Sequence, residues 1–312
     1  MLRTWPGRLY AQHPEVDYCC SPINLLKATE NVNDYLTAII LGIVEGLTEF
    51  LPVSSTAHIR MTQALLGVDL SSSYWKMFSV VIQLGAILAV VVYFWHRIWE
   101  FIFSFPKGTN GARTWWNHPL ALVVISFVVT AVPCFIIDEK IGEFLERLDV
   151  MAWALIVGGV AMWWIDRSFS KRANVDQLEK MTLTQAIVIG LFQILAAAFP
   201  GTSRSMSTIA GGQIMGLDRK TALEFSFFLS IPVMAAATSF KLLQFLLKES
   251  QPVNSHDWAV LAVGFGVSFL VALAVIAWFM RWVRQRGFAP FAIYRIFAGI
   301  VVLAFLVKNA SS

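Results

Sequence analysis

Glu45, Glu49, Ser54, Ser55, Thr56 and His58 fall together in EGLTEFLPVSSTAH, residues 45–58. Glu45 and Glu49 are four apart, so on a helix they share one face. Two buried carboxylates that close cannot both ionise unless donors or a cation stand between them. They either share a proton or bind a hard divalent ion, Mg²⁺ or Ca²⁺. Pro52 ends that helix, and Ser54, Ser55 and Thr56 begin the next, where each is a good cap. A helix start also offers free N–H groups to an anion. His58 follows Ser55 by three positions. A serine activated by a neighbouring base is a nucleophile, and histidine can itself accept a phosphoryl group. The spacing does not choose between them.

A second segment, PGTSRSMSTIAGG at 200–212, repeats the arrangement: a Pro-Gly break, Thr202 and Ser203 at the cap, then Arg204. A guanidinium in apolar surroundings needs an anionic partner, and its fork matches phosphate oxygens. Two helix starts and an arginine facing two acids and a histidine make a phosphate site.

The elements that must position these groups are membrane helices. The 312 residues are 57% hydrophobic and only 14% charged, with 12 Trp and 24 Phe; a soluble domain carries about 25% charged residues. The net charge of +4 gives no argument for nucleic acid. The three cysteines, Cys19, Cys20 and Cys134, have no zinc or disulfide spacing. Charge-poor runs near 74–96, 118–137, 149–166, 221–244, 258–280 and 289–307 are long enough to cross about 30 Å of hydrocarbon. Two further apolar runs break at Pro52 and at Pro200-Gly201, and each second arm is too short to span. They are expected to be re-entrant helix–turn–helix hairpins. Aligning GIVEGLTEFLPVSST (42–56) with GLFQILAAAFPGTSR (190–204) pairs Gly42 with Gly190, Pro52 with Pro200 and Ser55 with Ser203, and sets Gln193 and Ala197 opposite the two glutamates.

The expected fold is therefore an all-α polytopic membrane protein of six transmembrane helices plus two re-entrant hairpins, built as an inverted-topology repeat. The copies cover about 35–167 and 182–308 of a single membrane domain, 35–308. Residues 1–34 are a polar extension without the apolar core of a signal peptide. Basic loops holding Arg97, Lys107 and Arg113, then Arg167, Lys171, Arg172 and Lys180, then Arg281, Arg284 and Arg286 are expected in the cytoplasm, and the acidic stretch 138–149 outside. The first hairpin then opens outward and the second inward. Arg295, near the start of the last span, is expected to snorkel to the cytoplasmic interface.

The two long motifs resemble the paired signatures of the bacterial undecaprenyl pyrophosphate phosphatases of the bacitracin-resistance type. FSVVIQLGAILAVVVYFWHR (78–97), EFSFFLSIPVM (224–234) and PFAIYR (290–295) are similar too, so the likeness runs from about 35 to 308. It implies hydrolysis of a polyprenyl pyrophosphate to the monophosphate, regenerating the lipid carrier of cell-wall synthesis in the bacterial plasma membrane, with a divalent cation as cofactor. By motif position it implies a catalytic set of Glu45, Glu49, Ser55, His58 and Arg204, with both glutamates as metal ligands. Ser54, Thr56, Thr202, Ser203 and Gln83 are the implied substrate-binding residues. The lipid substrate and membrane lipids are the expected partners, with a homodimer left open. The family commonly has Gly at the positions of Ala57 and Met206, which puts the pocket width beside Arg204 in question. A polyprenyl-phosphate transporter or flippase on the same repeat is the alternative, but transport needs no nucleophile. The other large family of membrane lipid phosphatases needs a histidine soon after its Ser-Arg, and none follows Arg204 before His256.

Overall fold

The computed structural model describes residues 34–107, 115–141, 147–248 and 254–310. The expectations for the polar extension, with Cys19 and Cys20, and for Arg113, Glu143 and Glu146 lie outside the described residues. Eleven α-helices make up the described chain: α1 (Asp34–Thr48), α2 (Ser55–Leu65), α3 (Ser73–Tyr93), α4 (Trp95–Ser104), α5 (Pro119–Ile141), α6 (Leu148–Phe169), α7 (Leu183–Ala198), α8 (Arg204–Ile214), α9 (Arg219–Lys248), α10 (Ser255–Arg286) and α11 (Ala289–Ala310). Six of them, α3, α5, α6, α9, α10 and α11, are long and apolar enough to cross a membrane, and they coincide with the six expected spans. The exposed apolar residues agree. Val124, Val128 and Val132 recur every four residues along α5, and Ile293, Phe297 and Ile300 mark the outer face of α11. A continuous apolar surface of this kind is covered by lipid or protein rather than left to water.

The broken segments form two helix pairs, α1–α2 and α7–α8, each packed arm against arm. Pro52 has no N–H to continue the first arm; Pro200 does the same for the second. The short arms end alike: Leu66 N–H reaches Thr62 O and Gly67 N–H reaches Ala64 O, as Met215 reaches Gly211 O and Gly216 reaches Gln213 O. Gly67 and Gly216 have φ of +70° and +86°, the left-handed conformation that closes a helix and suits glycine.

The long arms are gripped tightly. A Cβ on Gly42 would lie 2.7 Å from Gly264 O of α10, and one on Gly190 would lie 2.8 Å from Ser126 O of α5. Ser126 and Thr130 hydroxyls donate to Ala186 O and Gly190 O at 2.6 and 2.9 Å, fixing α7 on α5. Phe50, Phe225, Phe227, Phe279 and Phe288 fill the central core, with Phe50 edge-on to Phe227 at 5.1 Å.

Two features were not legible from the spans. The loop after α3 is a helix, α4, and Arg97 in it pairs with Glu179 at 2.6 Å and Glu100 at 3.2 Å. Asp166, buried on α6, accepts from Arg219 Nε at 2.7 Å, Gln213 Nε2 at 2.9 Å and the Phe288 N–H at 3.2 Å. It ties α6, α8 and α9 to the start of α11.

Candidate active site

The two turns meet. Arg204 Nη2 donates to Glu49 Oε1 at 3.1 Å, and Ser205 Oγ donates to Leu51 O at 3.0 Å. Ser55 Oγ donates to the other Glu49 oxygen, Oε2, at 2.5 Å. One buried carboxylate thus holds a serine from its own helix pair and a guanidinium from the other. Arg204 also donates from Nη1 to Ser226 O at 3.2 Å, while its buried Nε has no acceptor among the described residues.

A cavity of about 300 Å³ opens beside this group. Glu49, Ser54, Ser55, Thr56, Gln83, Ser203 and Arg204 wall it, so seven of the expected residues converge on one space. Glu45, one helical turn before Glu49, is not part of the wall; it is fully buried, and its carboxyl oxygens have no hydrogen-bond donor among the described residues. Thr202 stands in the turn with its N–H on Phe199 O and is not part of the wall.

Both helix starts border the cavity. Ser54 caps α2 by accepting from Ala57 N–H at 3.5 Å, and Ser203 caps α8 by accepting from Met206 N–H at 3.4 Å. Their φ values are 73° and 76°. Left-handed backbone at a residue with a Cβ costs about 1–3 kcal/mol and clusters at functional sites. The matching caps correct the sequence register. The equivalent of Ser203 is Ser54, not Ser55, because Pro52 stands two residues before its cap and Pro200 three; Ser55 therefore stands where the second pair has Arg204.

His58 is not brought to Ser55. Its Nδ1 contacts Ser54 O at 2.8 Å and its Nε2 contacts the Tyr294 hydroxyl at 2.7 Å, with the rings stacked at 5.6 Å. A carbonyl only accepts, so Nδ1 carries a proton, and in the neutral ring Nε2 accepts from Tyr294. Arg295 does not snorkel either. It is fully buried and donates to Pro52 O at 3.0 Å, Gly201 O and Ala154 O at 3.1 Å, and Leu155 O at 3.4 Å. The carbonyls freed by the two broken turns are what an arginine inside a span can bind. Gly158 makes room for it: a Cβ there would lie 2.4 Å from Arg295 Nη2 and 2.9 Å from Met206 Cε. Met206 therefore packs inward, 5% exposed, and takes no part in the cavity wall. Ala57 is buried as well.

Comparison with known proteins shows the family. Residues 38–301 match the family described as Bacitracin resistance protein BacA. The chain belongs to the BacA family. Among curated BacA relatives, the undecaprenyl-diphosphatase of Koribacter versatilis is 54% identical over 286 residues, covering 89% of this chain and 100% of that protein. The undecaprenyl-diphosphatase of Novosphingobium aromaticivorans is 45% identical over 87% of this chain and 97% of its own length. That of Caldanaerobacter subterraneus is 40% identical over 88% and 97%. This BacA chain is a multi-pass membrane protein by its helices, and the relatives are bacterial.

Two further cavities adjoin the BacA site. One, of about 440 Å³, is lined mostly by apolar groups of α5, α7 and α9 and shares Ala196, Ala197 and Arg204 with it. The other, of about 550 Å³, shares Thr56 and Gln83 with it and carries Arg60, Lys76 and Lys241.

Proposed function

We propose that this chain is an undecaprenyl-diphosphatase in which Ser55 attacks the terminal phosphorus and Glu49 takes its proton. The observation that carries the reading is the Ser55–Glu49–Arg204 chain of hydrogen bonds at 2.5 and 3.1 Å on the wall of a polar cavity. A serine hydroxyl already donating to a carboxylate has its base in place. The guanidinium has a buried N–H without an acceptor, and the two helix starts add N–H groups and positive dipole ends. These groups stabilise charge on the phosphoryl oxygens as the prenyl monophosphate leaves. Water then cleaves the phosphoserine, with Glu49 returning the proton. His58 acts as a positioning residue, holding the Ser54 carbonyl beside the nucleophile.

Glu45 fits a hard cation. Its buried oxygens have no hydrogen-bond donor among the described residues, and Mg²⁺ is commonly held by one or two carboxylates together with substrate phosphates. Glu45, aided by Glu49, would hold the ion against the diphosphate, where it supplies further neutralisation of phosphoryl charge.

The inverted repeat with two re-entrant hairpins is supported by the paired caps, the paired C-terminal glycines and the matched close contacts of Gly42 and Gly190. We place the site's mouth outward. Ser73 and Lys76, at the start of α3, line the wide basic cavity, whereas Arg97 follows the other end of α3 and pairs with Glu179 of a second basic loop. The positive-inside bias puts that end in the cytoplasm, so the mouth faces outside. The reaction course is tested by quenching single turnovers with substrate labelled in the terminal phosphate. Label on Ser55 supports it; rapid turnover with no protein-bound label contradicts a serine nucleophile.

A further inference from the structure

Gln193 is buried to 2% exposure on α7, and neither its amide nitrogen nor its amide oxygen has a hydrogen-bond partner among the described residues. It lines the apolar cavity of about 440 Å³, among Phe127, Ala131, Phe135, Val233 and Phe240. An unsatisfied carboxamide in such surroundings is unfavourable, and leucine or methionine would fill the space without that cost. A buried polar group without a partner on the wall of a cavity points to an occupant of that cavity.

The cavity identifies that occupant. It reaches the outer apolar surface at Phe135 and Phe240, which are 73% and 46% exposed, and it meets the polar cavity at Ala196, Ala197 and Arg204. A prenyl diphosphate placed with its terminal phosphorus at Ser55 and its tail among the phenylalanines carries its second, lipid-linked phosphate through that junction. We infer that Gln193 recognises this lipid-side phosphate, donating from its Nε2–H to a non-bridging oxygen. The inference rests on the diphosphatase reading above. A neutral donor is well matched to this position, because Arg204 and Lys241 already bring charge to the wall and an amide grips the anion without adding more. The corresponding position of the first helix pair holds Glu45, whose charge suits a cation instead. Because the lipid-side phosphate remains on the product, Gln193 should hold prenyl monophosphate as well as substrate.

The test uses the full chain in detergent and undecaprenyl monophosphate as the probe, with binding followed by tryptophan fluorescence and folding by thermal melting. Gln193→Leu should melt at or above the wild-type temperature while its Kd for the monophosphate, and its KM for the diphosphate, rise about tenfold or more, the loss expected for a hydrogen bond to a charged group. Gln193→Glu keeps the shape and adds a charge, and should weaken binding further. Unchanged Kd in both variants would overturn the inference and leave the amide holding only water. A Gln193→Leu chain that melts lower and binds weakly, beside a Gln193→Glu chain that binds normally, would overturn it in favour of packing. A wild-type chain that binds monophosphate yet releases no phosphate from the diphosphate would contradict the proposed function, and the Kd comparison would still decide the role of Gln193.

Discussion

Glu49 accepts from Ser55 at 2.5 Å through one oxygen and from Arg204 at 3.1 Å through the other. Ser55 has no such bond to His58, which is turned to Tyr294. The bases therefore rank. Glu49→Gln should lower kcat by about 10²-fold or more, the usual contribution of a positioned base. His58→Ala should cost about tenfold, because it loosens Ser54 without removing the proton acceptor. Steady-state kinetics on both variants decides; a His58→Ala loss as deep as that of Glu49→Gln would return the base role to the histidine.

Arg204 has a resident partner, so charge removal should cost folding as well as turnover. The sequence calls for an anionic partner without naming it; Glu49, in a pair with side chains 13% and 6% exposed, is one. Arg204→Met leaves a buried carboxylate unpaired, a defect of about 3–5 kcal/mol. Adding Glu49→Gln should recover much of the melting temperature and none of the activity. A double variant no more stable than Arg204→Met would mean the two charges are not coupled.

Arg295 donates to both turns at once, to Pro52 O and to Gly201 O. Lysine cannot reach four carbonyls with that geometry. Arg295→Lys should lose at least two of these bonds at about 1–3 kcal/mol each, and the melting temperature in detergent should fall accordingly. A variant melting within a degree or two of wild type would show that the turns hold without it.

Glu45 offers the oxygens a cation needs. Glu45→Gln should raise the Mg²⁺ or Ca²⁺ concentration giving half-maximal activity, since it removes charge from a hard-ion site. A fall in rate at unchanged metal dependence would assign Glu45 to proton chemistry.

The direction of the mouth is open to a labelling measurement. Ser73→Cys, in a background without Cys19, Cys20 and Cys134, should react with an impermeant thiol reagent on intact cells. Reaction only after the cytoplasmic face is opened would reverse the orientation and leave the chemistry standing.

Much of this was legible in the sequence, because polar residues stand out sharply in an apolar chain. Glu49, Ser55 and Arg204 were readable from composition contrast and local spacing, and the six spans from hydropathy. What escaped depends on partners distant in the chain. The one-residue difference in turn length that pairs Ser54 with Ser203 shows only in backbone angles. Arg295 resembles an interfacial arginine until the carbonyls of Pro52 and Gly201 are placed beside it. His58 lies one helical turn from Ser55, yet Tyr294 takes its ring. Gln193 is marked in the sequence only as the residue opposite Glu45 in the repeat, and its lack of partners among the described residues shows only in the structure.

Removal of the terminal phosphate of a polyprenyl diphosphate by Ser55, with Glu49 and Arg204, is tested most directly by phosphate release. The purified chain and Ser55→Ala are compared on undecaprenyl diphosphate at equal folded concentration. Wild type should yield one inorganic phosphate and one monophosphate lipid per turnover, abolished by chelator, with Ser55→Ala slower by about 10²-fold or more. A Ser55→Ala chain that releases phosphate at the wild-type rate would contradict a serine nucleophile and the site built around it.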